Sequence, residues 1–123
     1  MLLELLKIFI ILILLDAVYL YFTKNMFGEM VARIQRVAMQ LRLWSAAVVY
    51  VFVAVLLYWF ILKDRRPVWE AGLLGLATYG IYDFTNHAIL KNYDLKIAIM
   101  DTVWGATLFA LTTFIYQGNL RFP

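Results

Sequence analysis

The chain of 123 residues has no cysteine, and only 15% of its side chains are charged. The first absence excludes a small disulfide-stapled scaffold. The second sets the chain apart from soluble domains, where about 25% charge is usual. Apolar residues reach 65%, against roughly 45–50% in ordinary globular proteins. A soluble domain this small leaves too much of its surface in water to hide that fraction. Aromatic residues at 17% exclude intrinsic disorder. What is left is an integral membrane protein of a single domain, residues 1–123, with the lipid bilayer as its main solvent and first partner. The net charge is +3, and no basic face carries interleaved aromatics, so nucleic acid is not expected as a partner.

Four blocks are long and apolar enough to cross a bilayer, at about 3–22, 43–62, 68–90 and 95–116. Lipid cannot satisfy free backbone groups, so each is expected as a helix. The ten-residue alternation of a membrane barrel is missing. Lys7 followed by Ile8 to Leu15 resembles a secretory signal, but Glu4 weakens its positive end and no A-x-A-like cleavage site follows, so the block is read as an uncleaved span. Between the first two spans, Phe27, Met30, Val31, Ile34, Val37, Ala38 and Leu41 recur at helical spacing, while Glu29, Arg33, Arg36 and Gln40 take the other face. This pattern predicts a separate amphipathic helix over about 27–41, lying in the headgroup plane or against another subunit.

The basic residues Arg33, Arg36, Lys63, Arg65 and Arg66 fall at headgroup level between blocks. The short connections Lys63–Pro67 and Lys91–Asp94 make successive helices antiparallel neighbours. With both termini on one side, that side carries Lys7, Lys63, Arg65, Arg66 and Arg121, and the other carries Lys24, Arg33, Arg36, Arg42, Lys91 and Lys96. The balance leaves orientation undetermined by charge. The expected fold is all-α, a bundle of four transmembrane helices with one interfacial helix.

Charges inside apolar spans are costly and usually face the bundle interior. Asp16, Asp83 and Asp101 are the acids of this kind. Counted from the span ends at 1.5 Å per residue, all three lie about 9–10 Å below the same boundary. The faces agree with the depths. One stripe of the third block holds Gly72, Gly75, Tyr79, Asp83 and Asn86, and one stripe of the fourth holds Ala98, Asp101, Trp104, Gly105 and Leu108. Small residues let helices approach, and polar ones bond across the interface. No lysine or arginine shares the layer, and three carboxylates cannot all stay ionised in low dielectric, so the layer takes up a proton or a cation. His87, four positions after Asp83, is placed to touch it. The second block offers only Ser45, Tyr50 and Tyr58 as polar handles and reads as scaffold.

Tyr82-Asp83-Phe84-Thr85-Asn86, then Asp101-Thr102-Val103-Trp104-Gly105, with Asp16-Ala17-Val18-Tyr19-Leu20 in the first block, resembles the signature of the domain of unknown function 2177 family of small four-helix membrane proteins. The resemblance covers nearly the whole chain. It implies a four-helix membrane fold and shared positions at Asp16, Tyr82, Asp83, Thr85, Asn86, Asp101, Trp104 and Gly105. It brings no assigned activity. His87 departs from the aliphatic residue expected there, and Tyr19 stands where tryptophan is expected.

Three readings of the polar cluster (Asp16, Tyr82, Asp83, Thr85, Asn86, His87, Asp101 and Trp104) follow. It holds the bundle together in a structural or assembly component, as a homo-oligomer or a subunit of a larger membrane assembly. It binds a cation or relays protons in a transport component. Or it modifies lipid, with Asp83 as base, Asp101 as acid and Asn86 orienting a headgroup. No nucleophile, phosphate-loop, dinucleotide or metalloprotease motif occurs, so no cofactor is expected and the enzyme reading is the weakest.

Overall fold

The computed structural model describes residues 1–118, so Arg121, counted above, lies outside them. Four helices and no strand make up the described residues: α1 (Leu2–Gln35), α2 (Leu43–Leu57), α3 (Val68–Ile89) and α4 (Leu95–Gln117). α2 runs on through a π-helical turn, Tyr58–Leu62, which the Lys63 N–H closes onto the Tyr58 carbonyl at 2.8 Å. Pro67 stands at the N-cap of α3, where its fixed φ suits a helix start. Asp94 caps α4, accepting from the Lys96 N–H at 2.8 Å.

Three helical stretches are long and apolar enough to cross a membrane: Leu2–Gln35, Leu43–Leu62 and Leu95–Gln117. α3 is long enough but is not among them. It carries Glu70, Asp83, Asn86 and His87 besides three glycines, and its polar face is turned toward α4.

The separate helix expected over 27–41 is corrected. α1 continues unbroken through Gln35 and stops where Arg36 turns left-handed (φ 65°), its N–H bonding to the Ala32 carbonyl at 2.8 Å. Residues 38–42 are not helical. The reason lies in the stripe itself. Phe27, Met30 and Ile34 extend the inward face of α1 by further turns, and they pack on Tyr93, Ile97 and Ala98. A lone glycine, Gly28, does not break a helix held by such contacts. Of the apolar residues read as a lipid face, Phe27, Met30 and Ile34 instead cover the α3–α4 turn and the start of α4, while Val37 and Leu41 stay exposed.

α3 and α4 make the most extensive contact, and α1 packs on both α4 and α2. At the centre of the α3–α4 crossing a Cβ on Gly75 would collide with the Gly105 carbonyl, and one on Gly105 with the Tyr79 ring. Backbone meets backbone there, which only glycine permits. The main core gathers Ile8, Leu12, Leu57, Ile61, Ala71, Leu108 and Phe109. The outer faces stay apolar: Leu14, Phe22, Trp44, Phe52, Ile81 and Val103 are all exposed. A monomeric soluble protein does not leave apolar patches of that extent in water.

Candidate functional site

Asp16 sits on α1 four positions after Leu12, on the face that α4 covers, and Tyr19 follows one turn later. Its Oδ2 accepts from the Tyr50 hydroxyl of α2, and its Oδ1 from the Trp104 indole N–H of α4 at 2.7 Å. On α4, Asp101 Oδ1 accepts from the Tyr19 hydroxyl at 2.9 Å. The rings of Tyr19 and Trp104 stack with centroids 4.6 Å apart and planes 3° off parallel. All three acids are buried, with Asp16 6%, Asp101 8% and Asp83 0% exposed.

The α3–α4 register explains the third acid. A Cβ on Gly72 would touch Ala106 and one on Gly80 would touch Thr102, so the antiparallel pairing carries Asp83 to the level of Asp101. The two carboxyls are thus neighbours across the α3–α4 crossing. Asp83 Oδ1 accepts from the Tyr93 hydroxyl at 2.9 Å, while its Oδ2 is buried without a donor. Tyr93 belongs to the turn between α3 and α4. Burial pushes its hydroxyl well above the ordinary tyrosine range, and the bond to Asp83 adds to the shift, so Tyr93 stays a proton donor. Asn86 lies near the hydroxyls of Tyr82 and Tyr93. Met30 closes the turn from α1, its sulfur 3.4 Å from the Asp94 backbone nitrogen.

The layer is thus two linked sub-sites. One is Asp16 with Tyr50 and Trp104; the other is Asp83 and Asp101 with Tyr93 and Tyr19. Among the described residues no group of three or more His, Cys, Asp or Glu side chains gathers where a metal ion would sit. The ion pairs Met1–Glu4, Lys63–Asp64 and Arg66–Glu70 lie away from the layer, in α1's first turn and about the α2–α3 connection.

Of the residues the sequence singles out, Asp16, Asp83, Asp101 and Trp104 are brought together. Asn86 is half-buried beside them, and Tyr82 is 62% exposed at the margin. Thr85 and His87 are exposed. The His87 Nδ1 pairs with the Tyr93 carbonyl at 2.9 Å and not with Asp83. Arg33, Arg36, Lys63, Arg65 and Arg66 are all exposed, the first two at the end of α1 and the rest in the α2–α3 connection. Sequence reasoning missed the tyrosines as donors: Tyr19 stood only as a departure from the family motif, Tyr50 only as a handle on a scaffold helix, and Tyr93 outside every periodic segment.

Compared with known proteins, residues 1–117 match a family model whose description reads "Predicted membrane protein (DUF2177)". No curated protein and no solved structure matches the chain.

Proposed function

The chain belongs to the DUF2177 family of predicted membrane proteins, and from that premise we propose that it is a multi-pass integral membrane protein acting as a structural or assembly component. In this reading all four helices cross the bilayer, α3 shielded by its long contact with α4, and the aspartate layer lies inside the membrane. The chain works as a homo-oligomer or as a subunit of a larger membrane assembly. The observation that carries the reading is the pairing in the layer. Asp16, Asp83 and Asp101 each accept from an aromatic donor on a different helix or turn, and together these bonds tie α1, α2, α4 and the α3–α4 turn. Buried polar groups satisfied in this way fix one arrangement of helices more than they add stability. The strong donors are spent inside the bundle, and the exposed Trp44, Phe52 and Val103 remain for lipid or a neighbouring chain.

The absence of cysteine makes the test clean. Single cysteines placed at Gln35 and at Asp64 should react with a membrane-impermeant thiol reagent from opposite faces of a sealed vesicle. Labelling of both from the same face would overturn the four-span arrangement. Crosslinking through a cysteine at Phe52 should capture a second chain in native membranes. A chain that stays monomeric there and in mild detergent argues against the assembly role.

A further inference from the structure

Asp83 is fully buried, and its Oδ2 has no donor. Its polar neighbour across the helix crossing is the carboxyl of Asp101, whose Oδ1 is already taken by Tyr19. Two carboxylates can only accept, and at this range, away from water, they repel strongly. One hydrogen between them converts the repulsion into a charge-assisted O–H···O bond and satisfies the orphaned oxygen. We propose that Asp83 and Asp101 form a proton-binding site, a carboxyl–carboxylate pair that holds one exchangeable proton between Asp83 Oδ2 and the Asp101 carboxyl.

Among the described residues, the groups whose charges act on the pair fit a proton. Facing the pair are Asp16 and Tyr19 from α1, Tyr50 from α2 through Asp16, Tyr79 and Tyr82 from α3, and Tyr93 from the turn. All of these are acids or neutral hydroxyls. His87, one turn beyond Asp83, is engaged with the Tyr93 carbonyl. Releasing the proton takes the pair from one negative charge to two, and the proton passes to water. Tyr93 is the hydroxyl on Asp83 that lies on a turn and not on a helix, so it stands on the exit route. Its cover is the end of α1, through Met30. The proposal goes beyond the structural role, because a helix lock does not need an exchangeable proton.

The test is infrared spectroscopy of the full chain in lipid nanodiscs, with aspartate isotopically labelled at its carboxyl carbon. One carboxylic-acid carbonyl band per chain is expected at neutral pH, shifting downward in heavy water. It should be lost in Asp83→Asn and again in Asp101→Asn, where the new amide supplies the missing hydrogen. It should survive Asp16→Asn, which weakens the helix lock without touching the pair. Absence of the band in the unaltered chain overturns the proposal, as does its persistence in a folded Asp83→Asn or Asp101→Asn protein. If both variants fail to fold, the band and its isotope shift in the unaltered chain decide alone.

Discussion

The Trp104 indole nitrogen stands 2.7 Å from Asp16 Oδ1, joining residues 88 positions apart. The relation is reciprocal. α4 gives an aromatic donor to the acid of α1, and α1 gives one, Tyr19, to the acid of α4, while the two donor rings lie flat on each other. Each helix offers an acid and an aromatic, so neither slides along or turns about its partner without breaking both bonds.

Replacing Trp104 by Phe should therefore leave a buried carboxylate oxygen without its donor and lower stability by about 1–3 kcal/mol. Unfolding in detergent measures it. Combined with Asp16→Ala, which removes the acceptor, the loss should fall short of the sum of the single losses by roughly 0.5–2 kcal/mol, because both variants break the same bond.

Glycine has opposite meanings at two positions. Gly105→Ala must displace the Tyr79 ring and should cost about 1–3 kcal/mol. Gly28 lies inside α1 with open space around its Cβ position. Gly28→Ala should raise stability by about 0.5–1 kcal/mol through lower chain entropy. Thermal unfolding of the pair in one detergent checks both signs.

Met30→Ala removes the side chain that covers the α3–α4 turn, where Met30 is 2% exposed. A cost of about 2–5 kcal/mol is expected for a cavity of this kind. Amide hydrogen exchange should speed up at Tyr93, Ile97 and Ala98 and stay unchanged near Leu57 and Phe109.

The N-cap of α4 gives a smaller effect. Asp94→Ala should destabilise by about 1 kcal/mol, while Asp94→Asn, which can still accept from the Lys96 N–H, should cost much less.

The helices were legible because charge interrupts the apolar blocks at Lys63–Pro67 and Lys91–Asp94, and both places are turns in the fold. Asp16, Asp83 and Asp101 were legible because a charge in an apolar run is too costly to be incidental. Their donors were not. Nothing in composition separates Tyr19 or Tyr50 from Tyr58 or Tyr116, since the choice of hydroxyl depends on where three helices meet. Thr85 entered the cluster through the family resemblance, yet two positions from Asp83 along a helix point to a different side, and it is exposed. The end of α1 was misplaced because Glu29, Arg33 and Arg36 read as a surface face, whereas the apolar side of the same turns was spent on Tyr93 and Ile97.

The unbroken α1 also limits how the molecule sits. Thirty-four helical residues make a rod of about 51 Å, and the hydrocarbon slab is about 30 Å thick. Leaning alone would hide such a rod only beyond about 50°, steeper than the 0–40° that membrane helices adopt. In the four-span arrangement proposed above, one end stands clear of the oily interior, and the arginines at its C-terminal end mark the end that does. Carrying Met30 with it, that stub holds a strut over the far corner of the bundle.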